Sequence, residues 1–368
     1  MIAIVLGTRP EIIKQSPIIR ECRAQHLDYF ILHTGQHYSY EMDQAFFLDL
    51  ELPEPKYNLD VGSGTHAEQT SRIMTGIEHV FMEEQPDIVL VQGDTNTVLS
   101  GALAAAKLHI KVGHVEAGLR SFDRKMPEEI NRVVADHISD YLFAPTETAR
   151  QNLLNEGILD EKIFVTGNTV VDAVFQNMEL SKNRANILDT LGIEPTGYFL
   201  VTAHRQENVD SHENLKNIIR GLLAIHKEYS QPVIFPMHPR TRKMVEQFNI
   251  SLSGITVIKP TGFLEFLQLE ANARLILTDS GGVQEESCIL GVPCVTLRNT
   301  TERPETIEIG ANVLAGTRCE RIRARVNEML DVQRAWNNPY GDGTASVTIV
   351  DACRRLFPAQ EKNVRVEE

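Results

Sequence analysis

The sequence predicts two doubly wound α/β domains, each a parallel sheet with helices on both faces. Three observations carry this. Short apolar runs of strand length alternate with amphipathic helical patterns from end to end. The alternation pauses once, at Asn177–Gly197, a polar stretch that ends in Pro195 and Gly197. A length of 368 residues suits two domains better than one.

In the first series the strands are Ile2–Leu6, Tyr29–His33, Ile88–Val91, Val112–Val115, Tyr141–Ala144 and Ile163–Thr166. Helical patterns separate them, among them Thr65–Glu84, Thr95–Leu108 and Pro127–Ser139. The second series has strands at Tyr198–Ala203, Val233–Met237, Ile255–Ile258, Leu275–Thr278 and Val292–Leu297, with helices at Glu213–Tyr229 and Phe263–Ala273. The expected domains are therefore 1–170 and 171–344. A last helix, Ala345–Phe357, within the C-terminal segment 345–368, is a candidate to cross back onto the first, and only the tail Gln360–Glu368 looks loose. Two Rossmann-like domains of this kind are expected to face a central cleft, with ligands at the carboxyl ends of the strands.

Composition narrows the function. Hydrophobic residues make up 42% and charged residues 23%, the balance of an ordinary globular chain. The net charge of -14, without a Lys/Arg cluster, argues against nucleic acid as a partner. No stretch approaches the roughly 20 apolar residues of a membrane helix, so no membrane partner is expected. The opening run Met1–Leu6 lacks preceding basic residues and is too short for a signal-peptide core. The five cysteines show no zinc-cage spacing. Reduced, buried thiols in a cytoplasmic protein are expected, with no bound metal.

Several motifs follow strands. Gly7-Thr8-Arg9-Pro10-Glu11 comes directly after the first, with Lys14 one turn on. Gly7 permits a tight turn, and the turn aims Arg9 and backbone N–H groups at an anion; an ordinary strand-to-helix turn with a solvated Arg reads the same way. It is not GxGxxG, which gives a nicotinamide cofactor little support. Asp279-Ser280-Gly281-Gly282 with Glu286 follows a second-domain strand. There Ser280 suits an N-cap, the glycines admit a phosphate, and Glu286 can take ribose hydroxyls. The bland reading is an acidic first turn complementing the dipole.

Asp94, Glu116 and Glu128 lie in the segments 92–95, 113–120 and 126–132. Each has a plain role as cap or ion-pair partner. As a set they suit proton removal from a weakly acidic sugar carbon, and crowding is expected to raise their affinity for protons. His204 and Arg205 end the second domain's first strand and are placed to meet a phosphate; His238 ends the next. The segments 300–305, which include Arg303, and 338–343 read only as polar loops near a cleft.

Taken together these segments resemble the non-hydrolysing UDP-N-acetylglucosamine 2-epimerases. The matching text is GTRPEIIK at 7–14, GDT at 93–95, HVEAGLRS at 114–121, PEEINR at 127–132, PTET at 145–148, GNTV at 167–170, TAHRQEN at 202–208, TDSGGVQEE at 278–286, TTERPE at 300–305 and NPYGDG at 338–343. The resemblance implies a glycosyltransferase-B-like fold. It also implies elimination of UDP from UDP-GlcNAc to 2-acetamidoglucal, then re-addition with C2 inverted, without metal or other cofactor. Asp94, Glu116 and Glu128 match the acid/base carboxylates, His204 the histidine on the phosphate side, and Lys14 a lysine tied to activity. Arg9, Ser280, Gly281, Gly282 and Glu286 match the UDP cradle, Phe266 sits where the family meets uracil, and Arg303 is assigned to the same cradle. Gln36, Arg205 and His238 match part of the activator site of bacterial members, although the run 36–40 departs from theirs after Gln-His. A homodimer is usual for such families. The rival readings are the same chemistry on a UDP-2,3-diacetamido uronic acid, a retaining glycosyltransferase, a hydrolysing epimerase and a silent binding module.

Overall fold

The computed structural model describes residues 1–36, 40–184 and 186–356. The unusual run at 37–39, Phe357 and the tail Gln360–Glu368 lie outside the described residues. The contacts divide the chain into two units: Met1–Ala173 together with the chain from Tyr340 on, and Val174–Pro339. Among the described residues, no helix is long and apolar enough to cross a membrane.

The first unit holds β1 (Ile2–Leu6), β2 (Tyr29–His33), β3 (Tyr57–Asn58), β4 (Ile88–Gln92), β5 (Lys111–Val115), β6 (Tyr141–Ala144) and β7 (Ile163–Val165). They form one sheet in the order β3-β2-β1-β4-β5-β6-β7, with every pairing parallel. The second unit holds β8 (Phe199–Thr202), β9 (Val233–Pro236), β10 (Thr256–Ile258), β11 (Leu275–Thr278), β12 (Cys294–Thr296) and β13 (Asn312–Leu314). Their order is β10-β9-β8-β11-β12-β13, again parallel throughout. The second is the 3-2-1-4-5-6 order of dinucleotide-binding sheets and the first is the same order extended by β7, so each unit is a Rossmann-like doubly wound domain.

The central strands bury both faces, as continuous apolar runs require: every residue of β1 and β4 is buried. Buried apolar side chains cluster beside each sheet, Ala3, Val5, Val89 and Val91 in the first unit and Phe199, Val201, Leu275 and Leu277 in the second. Order reverses between β1 and β4 in one unit and between β8 and β11 in the other. The connections diverge at these two points, opening a crevice at the strands' carboxyl ends. The motifs read from the sequence fall there: Gly7 after β1, Gly93 after β4, His204 after β8 and Ser280 after β11.

The structure corrects several element bounds. Thr65 and Thr95 stand outside their helices as N-caps, each hydroxyl accepting the N–H three residues on. The run Val292–Leu297 is strand only at Cys294–Thr296. The polar stretch from Asn177 is not a pause. A helix, Thr169–Arg184, runs through its beginning, and Ile187–Leu191 is a short helix. Buried Asn177 and Ser181 continue that helix's inner stripe, and Ser181 Oγ donates to Leu264 O at 2.7 Å. A stripe completed by polar side chains escapes a hydrophobic pattern. The edge strands β3 and β13, two and three residues long, carry too few residues for a period.

The Asn-Pro-Tyr-Gly-Asp-Gly segment has a structural task. Tyr340 O accepts Asn168 N–H at 2.8 Å, and the buried Asp172 accepts Ser346 N–H and Oγ–H at 2.9 and 2.6 Å at the start of the helix Ala345–Leu356. The loop 167–170 and the returning chain hold each other in place.

Candidate functional site

At the first unit's switch point the chain turns at Gly7, where a Cβ would run into the Thr34 and Thr97 hydroxyls; only glycine fits. The helix Arg9–Ala24 follows, with Pro10 in its first turn. Glu11, 4% exposed, ties the two crossovers together. Its carboxylate accepts Gly7 N–H at 2.7 Å, Thr8 N–H at 2.8 Å and, from the β4 side, Thr95 Oγ–H at 2.6 Å. Burial outweighs these donors and pushes Glu11 up to about 7. Gln36 is buried beneath and accepts Thr97 N–H at 2.9 Å. Arg9 lies 4.8 Å over the Phe46 ring with Nε 3.3 Å from the buried Asp43.

One turn along the same helix, Lys14 reaches Glu116 with Nζ–Oε1 at 2.6 Å. Glu116 Oε1 also accepts Asn168 Nδ2–H at 3.1 Å, so the loop after β7 completes its surroundings. Glu116 has φ 66°. The left-handed conformation is costly for a side chain with a Cβ, by about 1–3 kcal/mol, and persists only where neighbours impose it. Asp94 pairs with Arg132 on the helix Pro127–Ile138. Asp94 and Glu128 line one cavity of about 310 Å³ with Gln36, His66, Asn96 and Asn131. Asp94 and Glu116 each have an adjacent cation, and Glu128 is exposed in the helix's first turn. Its neighbour Glu129 is the structural one, accepting Ser121 N–H and Phe122 N–H at 2.9 Å each.

Beneath these groups runs a buried charge network that motif reading missed. His114 donates from Nδ1 to Asp136 Oδ1 at 2.6 Å and from Nε2 to Gly93 O at 2.8 Å. Asp136 Oδ2 takes Arg120 Nη1 at 2.7 Å and Gly118 N–H at 3.2 Å. Arg120 continues to Glu156 through two bonds of 2.7 Å. Burial alone would depress the His114 imidazolium, but Asp136 and the Gly93 carbonyl outweigh it and raise its pKa. Burial would likewise raise Asp136, and His114 and Arg120 bring it below its ordinary value. The imidazolium thus holds the turn before Asp94, and Asp136 the turn after Glu116. Arg132, His114 and Arg120 all lie in the matched segments, two to four residues from a chosen carboxylate, but nothing local says which carboxylate each meets.

In the second unit, a cavity of about 360 Å³ is lined by Thr202, His204, His238, Phe266, Ser280 and Val283, among others. Buried Asp279 holds the lining residue His204, accepting the His204 and Arg205 backbone N–H groups at 3.0 Å each and facing His204 Nδ1 at 3.3 Å. Ser280 stands at the N-cap of the helix Gly281–Ile289, but its hydroxyl makes no capping bond. Glu302 lies beside that N-terminus, 4.0 Å from where a Gly281 Cβ would stand. Burial would raise Glu302, yet two bonds from Arg298, at 2.8 and 2.9 Å, and the nearby Arg205 bring it to about 2. Burial and the charges of His204 and Arg240 push His238 down, and its Nδ1 accepts Arg240 N–H at 3.2 Å.

Not every chosen residue reaches this cavity. Arg303 turns instead to the buried Glu285, with Nε–Oε1 at 2.6 Å, because that carboxylate has to be neutralised inside the domain. Arg205 lies 3.9 Å from Glu302 and, like Gly281, Gly282 and Glu286, is absent from the lining.

The family model for UDP-N-acetylglucosamine 2-epimerase matches residues 20–354. A UDP-N-acetylglucosamine 2-epimerase of Methanocaldococcus jannaschii is 57% identical over 357 residues, covering 95% of this chain and 97% of that protein. A UDP-2,3-diacetamido-2,3-dideoxy-D-glucuronate 2-epimerase of Pseudomonas aeruginosa is 41% identical, covering 96% of this chain and 99% of that one. The crystal structure of the M. jannaschii UDP-GlcNAc 2-epimerase in complex with UDP-GlcNAc and UDP matches with a TM-score of 0.87 at 56% identity, covering 96% of this chain and 99% of that one. That of the Neisseria meningitidis enzyme bound to UDP-GlcNAc matches with 0.88 at 35% identity, with the same shares.

Proposed function

Since the chain belongs to the UDP-N-acetylglucosamine 2-epimerase family, we infer that it is an isomerase interconverting UDP-GlcNAc and UDP-ManNAc. The observation that supports the chemistry best is the set of three carboxylates around the first sheet's switch point. Two share a cavity and the third is held by Lys14. The reaction is an elimination followed by its reverse. A base takes the C2 proton while the C1–O bond breaks and UDP leaves with the electron pair, giving 2-acetamidoglucal. UDP then re-adds at C1, and a proton is delivered to the other face of C2. Inversion needs proton donors and acceptors on two sides of the ring, which one carboxylate cannot supply.

In this reading Asp94, Glu116 and Glu128 exchange the protons, and Lys14 fixes Glu116. His204 and the N–H groups of Gly281 and Gly282, with Ser280, meet the departing diphosphate, where oriented donors stabilise the developing charge. Phe266 meets the base, Glu286 the ribose, and Arg9 an anionic group; Arg303 acts from behind by holding Glu285. The higher identity to the UDP-GlcNAc enzyme favours that sugar over the uronate. The same reading carries a cytoplasmic homodimer. The five cysteines are buried and unpaired, which suits a reducing compartment.

The test is proton exchange. In D2O the enzyme and UDP-GlcNAc are expected to give a mixture of two UDP-sugars, both with deuterium at C2 by NMR. Turnover without deuterium at C2, or release of free sugar, contradicts the elimination. A second UDP-sugar site drawing on Gln36, Arg205 and His238 belongs to the same proposal. It predicts a sigmoidal rate curve with UDP-ManNAc alone that UDP-GlcNAc converts to a hyperbola. A hyperbolic curve indifferent to UDP-GlcNAc removes it.

A further inference from the structure

Glu270 is a buried acidic side chain near the second unit's cavity. It is fully buried on the helix Phe263–Ala271, one turn below Phe266, which lines the cavity. No N–H or O–H group among the described residues donates to either of its carboxyl oxygens. What it meets is the carboxyl of Glu286, on the helix Gly281–Ile289 packed against its own. Two ionised carboxylates in contact inside a protein repel strongly, and an ionised group with no donor would be costly in its own right. The arrangement is satisfied when one proton lies between them. Glu270 then donates it to Glu286, and the pair carries a single charge.

We propose that Glu270 is a positioning residue for nucleotide binding, holding a proton shared with Glu286 so that Glu286 is fixed as a charged acceptor for a vicinal diol. This rests on Glu286 being the residue that meets the ribose. Charge-assisted O–H···O bonds from the diol to an ionised carboxylate are short and strong. Burial and the Glu286 charge both favour the protonated form of Glu270. The other titratable groups facing it among the described residues are Tyr198, just before β8, and Cys294 on β12. Burial raises both, Cys294 to about 12, so both keep their protons over the pH range of the test below. The proton on Glu270 is therefore the one lost as pH rises. Its loss sets two negative charges against each other and displaces Glu286.

The test compares Glu270→Gln, Glu270→Leu and Glu286→Gln with the wild type. UDP affinity is measured by calorimetry from pH 7 to 9.5, along with kcat and KM, after thermal melting has established folding. Glu270→Gln keeps a donor for Glu286 and is expected to bind UDP within about threefold of wild type at pH 7, whereas Glu270→Leu removes it and raises Kd and KM about tenfold with little change in kcat. The wild type loses affinity towards alkaline pH beyond any loss in Glu270→Gln, which has no proton to lose there. Three results overturn the proposal: Glu270→Leu binding as well as wild type, Glu270→Gln as weak as Glu270→Leu, or identical pH profiles for wild type and Glu270→Gln. Should the leucine variant not fold, the two profiles decide alone. If Glu286→Gln binds UDP as wild type does, the ribose assignment itself falls. If Glu286→Gln is weakened and the Glu270 variants are not, only the proton-sharing role is lost.

Discussion

Asp94→Asn, Glu116→Gln and Glu128→Gln will each lower kcat by about 10²- to 10⁴-fold, the usual contribution of a positioned acid or base, with UDP affinity near wild type. Each amide keeps the shape of its carboxylate and abolishes proton exchange at that position. The three differ in what else they disturb. Glu128 is exposed, so its variant is expected to melt at the wild-type temperature. Glu116 is 5% exposed and Lys14 16%, so Glu116→Gln leaves a largely buried ammonium without its counter-charge and lowers Tm as well. Lys14→Met in the Glu116→Gln background restores much of that stability without restoring turnover. This separates the ion pair's structural share from the chemistry. Steady-state kinetics with UDP-GlcNAc, UDP titrations and melting curves read all of this. Wild-type turnover in all three amides would remove these side chains from the reaction.

The largest stability effect is expected at Asp136→Asn. Asp136 is 1% exposed and serves His114, Arg120 and the Gly118 N–H. Removing its charge strands the His114 imidazolium inside the first unit and weakens the clamp on Arg120. Breaking one partner out of a buried pair costs about 3–5 kcal/mol, which lowers Tm by on the order of 10 °C for a domain of this size. The same geometry fixes a pH dependence. His114 has a raised pKa in the folded state, so its contribution is complete below the ordinary value of 6.5 and is lost as pH rises through the raised one. Asp136 has a lowered pKa, so its contribution is complete above 3.8 and is lost as pH falls through the lowered one. The network is strongest between those limits. Asp136→Asn is therefore expected to lose most stability, relative to wild type, near pH 5 to 6 and less towards pH 9. A Tm difference that does not vary with pH contradicts this assignment. Turnover should suffer too, because the network holds the turns before Asp94 and after Glu116 from below.

Much of the fold was legible because its signals are local. A run such as Ile2–Leu6, apolar at every position, has one stable use in a soluble domain, as a strand covered on both faces. Thr65 and Thr95 announce helices through hydroxyls three residues from the N–H groups they cap. Glycine at position 7 marks a close approach by its own lack of a side chain. The helix Thr169–Arg184 was not legible, because Asn177 and Ser181 fill its inner face with polar atoms whose surroundings lie in other segments. The choice between Glu128 and Glu129 had the same limit. Adjacent carboxylates in one helical turn look alike in a string, but only Glu129 folds back onto Ser121 and Phe122.

By itself the sequence determined that two wound parallel sheets form, where their strands lie, and that carboxylates, a histidine and a glycine turn follow those strands. Hydropathy period and capping chemistry act over a few residues and need no knowledge of the rest. Only the tertiary structure decided partners. Lys14 meets Glu116 across 102 residues, Asp94 meets Arg132 across 38, and the carboxyl of Glu270 finds that of Glu286. Such pairings depend on strand order and helix packing, which are set by the balance of the whole core. Charge and proton affinity at a site are settled by those neighbours.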